Sequence, residues 1–252
     1  MGVDPARIEE AALNALQTQR QMFFDGWLLR LSPGKAKRAR SVNPHFGSSL
    51  PLDGKIDRCE RLYGASGLPT LFRVTPFAKP PDLDAALERR GYVAFDNTLV
   101  QVATSGSRRA GRRDPGVDLH EVGIAAFVDA VAALRGSPAV QRDAHLERLA
   151  HSPLATHAIV ARADGRPVAC GQMSFDGEFA GIYDMVTAAA WRGRGAATAI
   201  VDALLAHAHA CGAANVFLQV NDDNPAALAL YRKFGFVTAY TYHYRARPTE
   251  CA

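Results

Sequence analysis

The stretch WRGRGAATAI (residues 191–200) decides how the rest of the chain is read. Two arginines alternate with two glycines, and the sequence then turns directly into alanines and aliphatics. Helices begin in such places. The first turn of a helix carries N–H groups without intrahelical partners, and the helix dipole adds partial positive charge. Gly193, Gly195, Ala196 and Ala197 put almost nothing between those amides and an incoming anion, and Arg192 and Arg194 add charge at the rim. The segment therefore reads as a cradle for a pyrophosphate. The plainer alternative is an arginine-glycine surface turn. Neither familiar phosphate loop fits: no Gly-Lys-Ser/Thr occurs here, and the three spaced glycines of a dinucleotide fingerprint are absent.

Working outward, the bulk properties bound the answer. With 252 residues, 48% hydrophobic and 21% charged, the chain has globular composition and room for one large or two small domains. Lys and Arg exceed Asp and Glu by 29 to 25. So small an excess suits an anionic small molecule at least as well as nucleic acid. Cys59, Cys170, Cys211 and Cys251 form no CxxC pair, which points to a reducing compartment and away from structural zinc. The first twenty residues lack the layout of a signal peptide, and Ala6 breaks the myristoylation pattern that Met1-Gly2 begins. No apolar run is long enough to span a bilayer. These features predict a soluble cytoplasmic protein.

A polar, arginine-rich segment, TSGSRRAGRRDPG (104–116), reads as a connector and divides the chain into 1–104 and 118–252, with a linker at 105–117. The alternative, a nucleic-acid-binding arm at Arg108–Arg113, carries less weight. Downstream, periodicity predicts the order β-α-α-β-β-β-α-β-α-β, with a hairpin turning on Asp164-Gly165 and a helix running from the glycine loop to Gly212. Upstream, SGLPTLFRV followed by LDAALERRGYVAFDNTLVQV repeats the order of CGAANVFLQV followed by LALYRKFGFVTAYTYHYRA. Gly67 and Gly91 stand 24 residues apart, and Gly212 and Gly235 stand 23 apart. The recurrence suggests a duplicated domain.

Thirty-two residues after Arg192 comes NPAALALYRKFGF (224–236). The pair Arg-x-x-Gly-x-Ala and Asn-x-x-Ala-x-x-Leu-Tyr-x-x-x-Gly-Phe resembles the GNAT acetyltransferase superfamily, with the likeness extending over about residues 118–247. The resemblance implies an α/β fold with a mixed sheet, here in tandem, and acetyl-CoA as co-substrate. It implies that Arg194, Gly195, Ala196, Ala197 and Thr198 hold the pyrophosphate, with Arg192 and Gly193 shaping the loop. Met185 and Val186 would pair with the pantetheine arm through their backbone, and Asn224 and Ala227 would lie beside it. Asn224 before Pro225 is equally a helix N-cap with proline at N1, and both roles are compatible. The upstream half lacks the loop and carries Leu87 where the later half has Tyr231, so it is expected not to hold the coenzyme. DGWLLRLSPGKAKRARSVNP (25–44) also resembles the first region of two-domain bacterial members, where a degenerate domain accompanies a working one.

Acetyl transfer to an amine needs a donor at the oxyanion, a donor at the departing sulfur and an acceptor for the amine proton. Backbone near Met185 and Val186 suits the first need. Tyr231 is the candidate for the second, with a core tyrosine as the alternative. Asp184 is the candidate base, with a structural carboxylate as its alternative. Asp222 and Asp223 read as strand terminators. Trp27, Arg40, Ser41 and Asn43 are candidate acceptor contacts, with packing and turn roles as the default. His207 and His209, two apart on a helix, face different ways and do not suggest a metal with Cys211. No cysteine accompanies Tyr231, so direct attack in a ternary complex is expected. The acceptor is a small-molecule amine or a peptide or protein amine, and a homodimer stays open. The competing function is a non-catalytic acyl-CoA sensor.

Overall fold

The computed structural model describes residues 3–106 and 116–251, which form two compact units. One comprises Met1–Leu16 with Val100–Ala239, and the other Gln17–Leu99 with Tyr240–Ala252. The expected halves, 1–104 and 118–252, are a different partition of the chain. The first sixteen residues belong with the later half, and the last thirteen with the earlier half. The expected linker falls mostly on residues 107–115, outside those described.

The later unit contains α1 (Pro5–Ala15), the end of β5 (Val93–Thr104), β6 (Asp118–Glu121), α4 (Ile124–Arg135), α5 (Ala139–Ala150), β7 (Thr156–Ala163) and β8 (Arg166–Asp176). It continues with β9 (Phe179–Thr187), α6 (Ala196–Ala210), β10 (Asn215–Asn221) and α7 (Pro225–Arg232). Its strands lie in the order β5-β10-β9-β8-β7-β6. The sheet is mixed: β9 and β10 run parallel, whereas β6 through β9 are antiparallel neighbours. Asp164 and Gly165 make the predicted hairpin turn, with φ of 48° and 74°, the left-handed pair a two-residue turn requires.

Strand alternation places the helices of this unit. Val160 pairs with Cys170, and both pack with Ala158 against Phe127, Val128, Val131 and Leu149 of α4 and α5. The neighbouring pair, Ile159 and Gly171, points to the opposite face, where Ile200 of α6 closes on Gly171. Helix α1 starts on an Asp4 cap that accepts from the Ala6 amide, and Asn14 near its end donates to Asp176 of β8 at 2.8 Å.

The earlier unit holds β1 (Gln21–Phe24), β2 (Trp27–Arg30), β3 (Val42–Pro44), α2 (Leu52–Ala65), β4 (Phe72–Val74) and α3 (Leu83–Arg89). The first part of β5 and most of β11 (Val237–Ala246) complete it, in the order β1-β2-β3-β4-β11-β5. Trp27, Leu29, Val42, Ile56, Tyr63, Phe72 and Leu87 form its core. Arg245 on β11 grips Asp84 of α3 through Nε at 2.7 Å and Nη2 at 3.1 Å, and His243 reaches the same carboxylate at 2.8 Å. This forked pairing fixes the chain's last strand in the unit built by its earlier half. The four glycines aligned between the halves all adopt positive φ: 64° at Gly67, 80° at Gly91, 80° at Gly212 and 78° at Gly235. Each pair follows corresponding helices, α2 and α6 or α3 and α7. That local likeness supports the proposal that the two halves arose by duplication.

Tyr63, fully buried on α2, donates to the Arg30 carbonyl at 2.7 Å and accepts from the Arg30 amide at 3.2 Å. Phenylalanine in its place keeps the ring and removes both bonds. We expect Tyr63→Phe to lose about 1–3 kcal/mol, read as a lower urea midpoint at unchanged slope. An unchanged midpoint would mean that this pair contributes nothing.

Candidate functional site

The glycine loop and the end of β9 build the site. Pairing of β9 with β10 runs from Phe179↔Asn215 to Ile182↔Leu218 and stops. On its other side β9 stays paired with β8 as far as Thr187. The ladder to β10 thus ends before residues 185–187, leaving a β10-facing edge that includes the backbone of Met185 and Val186. A bulge marks the place: the β8–β9 register shifts between Cys170 and Gln172, and Asp184 takes φ 50°. Gly171 opposite the bulge leaves room for Met185, since a Cβ there would stand 2.2 Å from the Met185 sulfur.

The chain leaves β9 through a short turn and enters α6 at Gly195, whose φ of 98° and ψ of −7° suit glycine. Among the described residues, no carbonyl or side chain accepts from the backbone amides of residues 194–198. Gly193 and Arg194 are exposed, and Arg194 lays its guanidinium over the Trp191 ring, 4.9 Å from the centroid. Ala196 is buried, while Ala197 and Thr198 are half-buried. Arg192 sits just before the loop in extended backbone. The sequence expectation of bare amides at a helix start describes this geometry.

Helix α7 carries the second motif. The Asn224 side chain caps it, its Oδ1 accepting from the Ala227 amide at 3.1 Å, so the capping role is real. Tyr231 is 7% exposed and packs edge-on to Phe236. Its hydroxyl has no hydrogen-bond partner among the described residues. Burial pushes its pKa up to about 12.

Asp184 is committed elsewhere. Its carboxylate meets Arg135 of α4 at 3.2 Å and His145 of α5 at 3.0 Å. Burial alone would raise its pKa, but the His145 bond and the charges of His145, Arg135 and Arg148 outweigh that and hold it well below the usual carboxylate range. A carboxylate so stabilised has little drive to take an amine proton. The geometry therefore argues against Asp184 as the base expected from sequence. His145 was not singled out in the sequence, where nothing links it to a residue 39 positions away. The hydrogen bonds gather Asp184, His145 and Arg135 into one set, while Tyr231 and Asn224 stand on α7.

Other candidates take structural places. His207 stacks on His157 at 3.6 Å, whereas His209 meets Ser105 at 3.4 Å. Among the described residues no group of three His, Cys, Asp or Glu side chains is arranged to hold a metal. Trp27 donates to the Lys79 carbonyl at 2.7 Å, and Asn43 to the Ser41 carbonyl at 2.9 Å; both are buried, as is Ser41. The Arg108–Arg113 run lies outside the described residues.

The stretch just ahead of the corresponding helix in the earlier unit carries a carboxylate of the chain's own. Before α2, the Asp25 carboxylate accepts from the Ser49 and Leu50 amides at 3.0 Å each and from the Ser49 hydroxyl at 2.8 Å. Buried Lys55 pairs with it at 3.0 Å. Those amides, then Lys55, hold the Asp25 carboxyl well below its usual range. The chain thus places its own anion on loop amides ahead of the Pro51 cap of this helix.

The segment that holds these parting parallel strands and the bare helix start is similar to acyltransferases of the GNAT superfamily. Residues 127–236 match the acetyltransferase (GNAT) family. The uncharacterized N-acetyltransferase YobR of Bacillus subtilis (strain 168) is 27% identical over 247 residues, covering 97% of this chain and 99% of YobR. A GCN5-related N-acetyltransferase from Kribbella flavida has a similar fold, with TM-score 0.74, 19% identity and coverage of 98% of this chain and 96% of that one. A tandem GNAT protein from the clavulanic acid biosynthesis pathway superposes with TM-score 0.62 at 16% identity, covering 81% of this chain and 74% of its own. No helix among the described residues is long and apolar enough to cross a membrane.

Proposed function

We propose that the later half transfers an acetyl group from acetyl-CoA to a primary amine by direct attack in a ternary complex. The observation that carries this is the opening of β9 from β10 beyond Ile182↔Leu218, next to the uncommitted amides of residues 194–198. The pyrophosphate lies on those amides, where backbone N–H groups and the dipole of α6 favour it. Met185 and Val186 offer their open backbone to the pantetheine arm and an N–H to the carbonyl oxygen as it gains charge. Tyr231 donates to the departing sulfur.

The thiol beside the open strand supports direct attack. Cys170 is the cysteine beside Asp184, with Sγ 3.9 Å from its carbonyl oxygen. Burial pushes that thiol up to about 12, so Cys170 does not stand ready as a thiolate to carry the acetyl group. The acceptor is a small-molecule amine or a peptide or protein amine. The missing glycine loop and Leu87 in the place of Tyr231 support a degenerate earlier half and one coenzyme site per chain.

The test is a panel of amines mixed with acetyl-CoA and read by free-thiol release, with calorimetry of acetyl-CoA binding alongside. We expect one acetyl-CoA per chain and thiol release with at least one amine class. Failure to bind acetyl-CoA sinks the proposal. Binding without turnover across the panel would favour the sensor function instead.

A further inference from the structure

We propose that His145 is the proton acceptor for the attacking amine and that Asp184 positions it. The assignment rests on the transferase reading above and deepens it. Asp184 sits at the bulge of β9, on the stretch whose far edge is open. His145 projects from α5, is 6% exposed, and meets the Asp184 carboxylate through Nε2 at 3.0 Å. Its ring packs edge-on to Phe127, centroids 6.4 Å apart, which limits its rotation.

Chemistry then fixes the tautomer. An ionised carboxylate can only accept, so the proton between the two groups belongs to Nε2 of His145. Nδ1 is left with its lone pair, and it has no hydrogen-bond partner among the described residues. Arg135, 3.2 Å from the other Asp184 oxygen, keeps the carboxylate ionised. The charged and titratable groups around the pair are Asp184 on β9, Arg135 on α4, Arg148 on α5 and Cys170 on β8. The thiol is held neutral by burial, so it does not compete for the proton.

In the step itself the amine lone pair forms the N–C bond at the thioester carbonyl. The nitrogen's surplus proton passes to Nδ1 of His145, directly or through one water. The C–S bond then breaks, the thiolate leaves while accepting a hydrogen bond from the Tyr231 hydroxyl, and it takes a proton from solvent, so amide and free thiol are the products. His145 returns its proton to solvent before the next turnover. Asp184 touches no reacting atom and acts through His145.

The experiment compares wild type, His145→Ala, His145→Gln and Asp184→Asn with the amine found active, measuring kcat, KM for acetyl-CoA and the pH profile. Both His145 variants should lose about 10²- to 10⁴-fold in kcat with acetyl-CoA affinity unchanged. They should also lose the acidic limb of the wild-type pH profile. Added imidazole should restore part of the His145→Ala rate, and Asp184→Asn should lower kcat without weakening acetyl-CoA binding. Wild-type turnover with the acidic limb intact in both His145 variants overturns the assignment. So does loss of acetyl-CoA binding in both without imidazole rescue, which marks a structural residue. If the wild type releases no thiol with any amine, the transferase reading falls first and takes this one with it.

Discussion

Tyr231→Phe should lower kcat by about 10²- to 10³-fold, the loss typical of one preorganised donor at a site of developing charge. Acetyl-CoA affinity should hardly change. The hydroxyl has no hydrogen-bond partner among the described residues, and burial pushes its pKa up to about 12. That value decides between two roles. A thiol's reference pKa is about 8.5, so full transfer from the phenol to the leaving sulfur runs uphill by several units. A hydrogen bond that strengthens as the C–S bond breaks faces no such cost. Because the phenol stays protonated throughout the neutral range, the ratio of wild-type to variant kcat should be flat with pH. The ring remains against Phe236, so melting should be unaffected. Equal turnover in the two proteins would remove Tyr231 from the chemistry.

What sequence could show here depends on distance along the chain. The glycine loop, the Asn224-Pro225 helix start and the Asp164-Gly165 turn are local devices, each written in a few adjacent residues. The exchange of the termini is not local. It is held by Arg245 on Asp84, 161 positions away, and no periodicity reveals which of the two units a strand joins. The bulge at Asp184 is likewise invisible, because it is a mismatch of register between β8 and β9 rather than a property of either strand. Asp184 was picked out by its strand position, yet its partners Arg135 and His145 come from two other helices. Those partners change its chemistry from proton acceptor to fixed anion. Sequence identified the carboxylate and missed the imidazole beside it.

Gly195→Glu should weaken acetyl-CoA binding by more than about 100-fold, the cost of losing two or more charge-assisted hydrogen bonds. Two causes act together. Gly195 has φ of 98°, a conformation in which an L side chain is strained, so the amides before α6 would shift. The added carboxylate would also sit where the pyrophosphate belongs, repelling it and competing for the same donors. In the earlier unit a carboxylate does take backbone amides in this way, Asp25 accepting from Ser49 and Leu50 in the loop ahead of α2. Gly195→Ala separates the causes, since it brings the strain without the charge, and it should bind more tightly than the Glu variant. Calorimetry on both, with melting curves to show that each is folded, reads the difference. If Gly195→Glu binds acetyl-CoA as the wild type does, the coenzyme lies elsewhere, and the bare amides of α6 need another explanation.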